Sequence, residues 1–124
     1  MALKSLLNGQ KAEQLAAKYL RKQGVRILDR NKRYACGELD IVASDGISHI
    51  FVEVKYRTST EFGSASEMVS KGKQMKLVRA AKLWLQENDP SETKACRFDV
   101  IAINDSKSLD GIEWIKNAFT PELW

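Results

Sequence analysis

Apolar residues along this chain follow two rhythms, and each predicts an element. From about Gly9 to Gln23, Ala12, Leu15, Ala16, Tyr19 and Leu20 recur every three or four positions and form one stripe of a helix. Asn8 suits its N-cap and Gly24 its C′ stop. The same spacing returns from about Ser70 to Glu87, where Leu77, Val78, Ala81, Trp84 and Leu85 share a face. Asn88-Asp89-Pro90-Ser91 ends that second helix. Residues 25–28, 38–43, 47 or 49 to 56, 95–103 and 112–116 read as strands. Residues 29–36 read as a polar, basic connector. Ser44-Asp45-Gly46 is a hairpin signal and predicts antiparallel pairing of the strands on either side. Residues 58–66 read as a loop, 104–111 as a turn and 117–124 as a tail. The order α, β, β, β, α, β, β predicts one α/β domain over residues 1–124, with helices on a mixed sheet of five strands.

Charged residues interrupt two of these strands. Strand side chains alternate in direction. In Phe51-Val52-Glu53-Val54-Lys55, Glu53 and Lys55 share a face that Arg57 continues, while Val52, Val54 and Tyr56 take the other. In Gly37-Glu38-Leu39-Asp40-Ile41-Val42-Ala43, Glu38 and Asp40 share a face, with Leu39, Ile41 and Ala43 opposite. Charges among such neighbours are costly to desolvate unless paired or bound to a metal. Folding the strands about Asp45-Gly46 brings Asp40 and Glu53 close on one sheet face. Two converging carboxylates suit a hard divalent cation such as Mg²⁺, which takes oxygen ligands and keeps several waters. Lys55 there suits charge developing on a phosphate, or orientation of the attacking water. The set fits metal-assisted hydrolysis of a phosphodiester. The plain alternative is a solvated polar sheet face. The joint pattern weakens it, because both strands read as covered by helices.

Several other residues bear on that chemistry. Glu13 lies at the edge of the first helix's stripe. It either completes a metal site with Asp40 and Glu53 or is a surface glutamate beside Lys11 and Lys18. Gln74, one turn before Leu77 and Val78, needs a partner, either a core hydrogen bond or a substrate. Lys73 flanks it within reach of phosphate. Arg30, Lys32 and Arg33, with residues 57–59, flank the site and are candidates for phosphate contacts. Glu38 is either a further ligand or a partner for Arg30 or Lys32. Arg97 and Asp99, His49 and Trp84 read as structural.

Composition narrows the partners. A net charge of +4 favours a polyanion, mildly. Two cysteines far apart and one histidine make no zinc set. Cys36 and Cys96 read as reduced thiols in a cytoplasmic protein. The apolar run near the start is too short for a signal peptide, and no stretch approaches a membrane span.

Asp40 followed by Glu53-Val54-Lys55 resembles the signature of the PD-(D/E)XK nuclease superfamily, an acid on one strand and Glu-x-Lys on the next. With Glu13 on the preceding helix, the spacing is similar to that of archaeal Holliday-junction resolvases. Nearly the whole chain resembles the YraN family of small bacterial proteins, described as predicted endonucleases. The resemblance runs through Gly9, Glu13, Ala17, Tyr19-Leu20, Gly24, Arg30-Asn31, Gly37-Glu38-Leu39-Asp40, Phe51 to Lys55, Arg57, Phe62-Gly63, Lys73-Gln74, Arg97 to Val100 and Asn117-Ala118-Phe119. The superfamily's proline before the first acid is absent, since Leu39 stands there, as is common among resolvase-like members.

The resemblance implies a restriction-endonuclease-like core in which Glu13, Asp40 and Glu53 bind Mg²⁺ or Mn²⁺ and Lys55 assists catalysis. It implies an endonuclease acting on structured or branched DNA, and a two-fold dimer, because paired incisions across a four-way junction need two sites. Arg57, Lys73, Gln74, Arg30 and Arg33 would then contact the nucleic acid. A reading from another class keeps the fold without cleavage: a nucleic-acid-binding accessory module in recombination, repair or uptake.

Overall fold

The computed structural model describes residues 2–56, 69–103 and 111–121. Its elements are α1 (Ala2–Lys22), β1 (Arg26–Tyr34), β2 (Gly37–Ser44), β3 (Ser48–Tyr56), α2 (Lys71–Asn88), β4 (Ala95–Ile103) and β5 (Ile112–Phe119). The five strands form one mixed sheet in chain order. Only β3 and β4 run parallel, and the other neighbours are antiparallel. A parallel pair needs a long crossover, and α2 lies within it.

One helix covers each face. Ala12, Ala16, Ala17 and Leu20 of α1 pack on Ile41, Ala43, Ile50, Val52, Ile101 and Ile103. Three alanines in that stripe let the helix backbone lie close to the sheet. Leu77, Ala80, Ala81, Trp84 and Leu85 of α2 pack on Leu39, Val42, Phe51, Phe98, Val100 and Phe119. The result is the expected α/β fold, two helices on a mixed five-stranded sheet, consistent with a restriction-endonuclease-like core. The two faces of β3 are as alternation predicts: Val52, Val54 and Tyr56 pack on the α1 side.

Three boundaries differ from the sequence reading. Helix α1 begins at Ala2 rather than near Gly9, so Asn8 lies inside it and is not its N-cap. Alanine, leucine and lysine in the preceding residues favour that extension. Its other end is as expected. Gly24 has φ 85°, its N–H donates to the Arg21 carbonyl at 3.0 Å, and the Val25 N–H donates to the Leu20 carbonyl at 3.0 Å, a Schellman motif. Strand β1 runs through the expected connector to Tyr34, pairing with β2 from Arg26↔Ser44 to Tyr34↔Gly37. Arg30, Lys32 and Arg33 therefore belong to an edge strand, where charged side chains are well tolerated. Strand β5 continues to Phe119, which is buried and stacks on Phe98 with centroids 5.0 Å apart. Phe119 is thus core, and residues 117–119 belong to the sheet rather than to a tail. The loop at 58–66, most of the turn at 104–111, Arg57 and Trp124 lie outside the described residues.

Candidate active site

Alternation along β2 breaks at Asp40. Leu39 packs under α2, while Ile41 and Ala43 pack under α1. The expected common face for these three is not what forms, so the strand rotates between Leu39 and Ile41. Pairing changes at the same point. The β2–β3 ladder ends at Ile41↔Val52, yet β3 stays paired with β4 to Tyr56↔Ile103 and β2 with β1 to Gly37↔Tyr34. The sheet forks there. Asp40 stands in the fork, where its Oδ2 accepts the Val54 N–H at 3.0 Å and replaces the ladder acceptor. On β1, Asn31 falls between Arg30↔Ile41 and Lys32↔Leu39, opposite Asp40, with φ 50°. Asparagine is among the few non-glycine residues that tolerate this conformation. Gly37 keeps the hairpin against α2, since a Cβ there would stand 3.0 Å from the Lys76 carbonyl oxygen.

Glu53 reaches the fork from the α2 side. It is 5% exposed. Burial pushes its pKa up to about 9, helped by a hydrogen bond with Asp40 and by that residue's charge, while Lys73 and Lys55 pull it down. Glu53 therefore keeps its proton near neutral pH. Glu53 Oε2 is buried and accepts no hydrogen bond from any described residue. Lys73 Nζ lies 3.6 Å from it, an ion contact beyond hydrogen-bond reach.

Glu13 reaches the same fork from α1. Burial pushes its pKa up to about 7, followed by the charges of Asp40 and Glu38, against Arg30 and a hydrogen bond from Asn31. The Asn31 amide is assigned with its nitrogen toward Glu13, donating to Oε2 at 2.7 Å and Oε1 at 3.1 Å. The reverse assignment sets oxygen against carboxylate.

Asp40 is thus the residue that both glutamates feel. Among the described residues no three His, Cys, Asp or Glu side chains are drawn around one point that could hold a metal ion. The acids surround the fork from opposite faces without closing on it. Lys55 is half-buried and near enough for its charge to act on Glu53. Gln74 takes the core alternative, its Nε2 donating to the Val69 carbonyl at 2.9 Å. Arg33 pairs with Glu38 at 3.6 Å, its side chain 83% exposed, so neither Arg30 nor Lys32 is that glutamate's partner. The cause is register, which sets Arg33 opposite Glu38. Arg30 is half-buried with an Nε that no described residue accepts from, and serves Glu13 as a countercharge. Asn31 has no role in the sequence reading beyond the family pattern. A lone asparagine in a run of Arg and Lys was the available signal.

The residues read as structural are so. Trp84 is buried and its Nε1 donates to Asp29 at 3.1 Å. His49 Nε2 and Asp89 Oδ2 lie 3.0 Å apart in the interior. Asp99 takes Trp114 Nε1 and the Asn117 N–H, each at 2.8 Å, and Arg97 Nε at 3.1 Å. Cys36 and Cys96 are free. No helix among the described residues is long and apolar enough to cross a membrane.

The sequence pattern of the Uncharacterised protein family UPF0102 matches residues 12–103, a span that holds every acid and lysine of the fork. A UPF0102 protein of Francisella tularensis is 49% identical over 112 residues, 90% of this chain and 92% of that protein. One of Shewanella loihica is 46% identical over 114 residues, 92% of this chain and 95% of its own. One of Nitrosococcus oceani is 40% identical over 114 residues, 92% of each.

Proposed function

The chain belongs to the UPF0102 family, the YraN family of its sequence resemblance, and within it we propose a divalent-metal-dependent endonuclease of the PD-(D/E)XK type. Its substrate on this reading is structured or branched DNA, met in the cytoplasm by a homodimer. The observation that carries the reading is the Asp40–Glu53 pair at the fork, two carboxyls in contact, with a buried Glu53 oxygen that accepts no hydrogen bond from any described residue. Such a pair fits Mg²⁺ or Mn²⁺ in donor chemistry, since hard cations select carboxylate oxygens and relieve the repulsion between them.

Asp40 and Glu53 would hold the cation, with Glu13 as the third acid. A bound cation there would polarise a phosphoryl oxygen and supply hydroxide at neutral pH. Lys55 offsets charge on the phosphate as water adds to phosphorus and the P–O ester bond breaks. Lys73, now against Glu53, is within reach of a phosphate once that acid is otherwise neutralised. Glu53 must ionise to act as a ligand, so cation affinity rises with pH up to its raised pKa of about 9.

One observation favours the second reading, a non-cleaving nucleic-acid-binding accessory module. Lys73 already supplies a cation to Glu53 at 3.6 Å. A single assay separates the two. Labelled four-way junction, flap, single-stranded and duplex DNA meet wild type, Asp40→Ala and Lys55→Ala, with Mg²⁺, Mn²⁺ or chelator. The nuclease cuts with a cation and loses cutting in both variants. Binding without cutting, equal in all three proteins and indifferent to chelator, is the outcome of the accessory module.

A further inference from the structure

An open groove of about 260 Å³ runs along the outer side of α2, with Lys71, Met75, Val78 and Arg79 on one wall and Pro121, beyond β5, on the other. Pockets that enclose a drug-sized ligand span roughly 300–1,000 Å³, so this trough suits part of a longer ligand. Its floor is apolar. Met75 is 48% exposed, and Val78 lies on the core beneath. Its rim is cationic. Helix α2 carries Lys71, Lys73, Lys76, Arg79 and Lys82 against one acid, Glu87, which is engaged by the Tyr34 hydroxyl. At a rise of about 1.5 Å per residue, Lys71 and Arg79 stand roughly 12 Å apart along the axis.

The groove and the acid site are reached from neighbouring residues of α2. Gln74 lines the groove, and Lys73 beside it touches Glu53 at 3.6 Å. One helix therefore borders both the groove and the fork. The combination of floor and rim selects among polyanions. A duplex keeps its base faces stacked inside and meets the groove with phosphates alone, leaving Met75 and Val78 exposed. An unpaired strand brings both phosphates and a flat base face.

We propose that this groove binds single-stranded nucleic acid, with phosphates on Lys71 and Arg79 and a base face on Met75 and Val78. Resting on the nuclease reading for the position of the scissile phosphate, this makes the substrate one with an unpaired strand beside the cut. The fork and the groove then divide the work: the acids take the reacting phosphate and α2 takes the strand leaving it.

The test is fluorescence anisotropy in chelator with labelled oligothymidylate, an abasic strand of the same length, the matching duplex and a polyglutamate peptide. Wild type is compared with the double variant Lys71→Ala/Arg79→Ala and with Met75→Ala, all surface changes. Oligothymidylate is expected to bind wild type about tenfold more tightly than duplex or abasic strand. The double variant loses about tenfold, and its slope of log affinity on log salt falls by about 1.4, near 0.7 for each phosphate contact. Met75→Ala removes most of the margin over the abasic strand. Equal affinity for duplex, or unchanged affinity in the double variant, overturns the proposal. Polyglutamate bound as tightly through the same residues also overturns it, in favour of an acidic protein partner. Chelator keeps binding apart from cleavage. Strand binding lost in the double variant of a protein that never cuts supports the groove and counts against the nuclease alone. Undiminished strand affinity in the double variant of a protein that cuts counts against the groove alone.

Discussion

Replacing Glu53 by glutamine is expected to raise stability, and to do so only at higher pH. The carboxyl is buried, and its pKa rises from 4.5 to about 9 through burial first and Asp40 second. In the unfolded chain the same group ionises near 4.5. Between those values the folded protein keeps a proton that the unfolded chain releases, so stability falls as pH rises. The contribution is fully present below about 4.5 and is lost by about 9. Each pH unit in the window is worth about 1.4 kcal/mol, so moving from about pH 5 to about pH 8 removes up to about 4 kcal/mol. Glutamine has the same shape and is neutral throughout. Glu53→Gln should match wild type near pH 5 and exceed it by up to about 4 kcal/mol near pH 8. Urea unfolding in chelator, followed by circular dichroism, measures the difference at both values. The same difference at both pH values refutes the reasoning, as does a variant less stable at the higher one. A second arm adds Mn²⁺ near pH 8. It should stabilise wild type and not the variant, because ligation requires the ionised carboxylate. A plain polar sheet face would respond in neither protein.

Two further substitutions test the surroundings of the fork. Asn31→Ala holds a Cβ residue at φ 50° without the side-chain help of asparagine and should cost about 1–2 kcal/mol in urea unfolding. Asn31→Gly relaxes the backbone but removes both hydrogen bonds to Glu13, so Glu13 should titrate above its present value of about 7 in a carboxyl NMR titration. An unmoved Glu13 in the glycine variant rejects the contact. Asp99→Ala removes a fully buried acceptor from Trp114, Asn117 and Arg97 and should cost about 3–5 kcal/mol. A loss below about 1 kcal/mol would show that the register of β5 on β4 is held by other means.

The nearness of Asp40 and Glu53 was legible because a hairpin has few degrees of freedom. Once Asp45-Gly46 makes the turn, Ile41 meets Val52, and positions 40 and 53 come next across. The two faces of β3 follow from alternation for the same reason. Strand β1 was not legible beyond Leu28, because Arg30-Asn31-Lys32-Arg33 has no apolar rhythm to read. Backbone hydrogen bonds to β2 hold that edge, and they leave no mark on side-chain pattern. Lys73 against Glu53 joins α2 to β3, and residues so far apart in the chain declare no contact by spacing. The face of Asp40 failed for a more instructive reason. Alternation assumes an unbroken ladder, and here the ladder ends at Ile41 and Val52 while Asn31, on the next strand over, turns left-handed. A regular ladder would satisfy the Val54 N–H with a backbone carbonyl and leave the Asp40 side chain to a single face of the sheet. The fork gives that hydrogen bond to the carboxylate and opens Asp40 to Glu13 on one side and Glu53 on the other. Local rules fail at the point where the acids collect, as expected there if the proposed chemistry is what the fork serves. The failed alternation therefore marks the same place as the charged residues do.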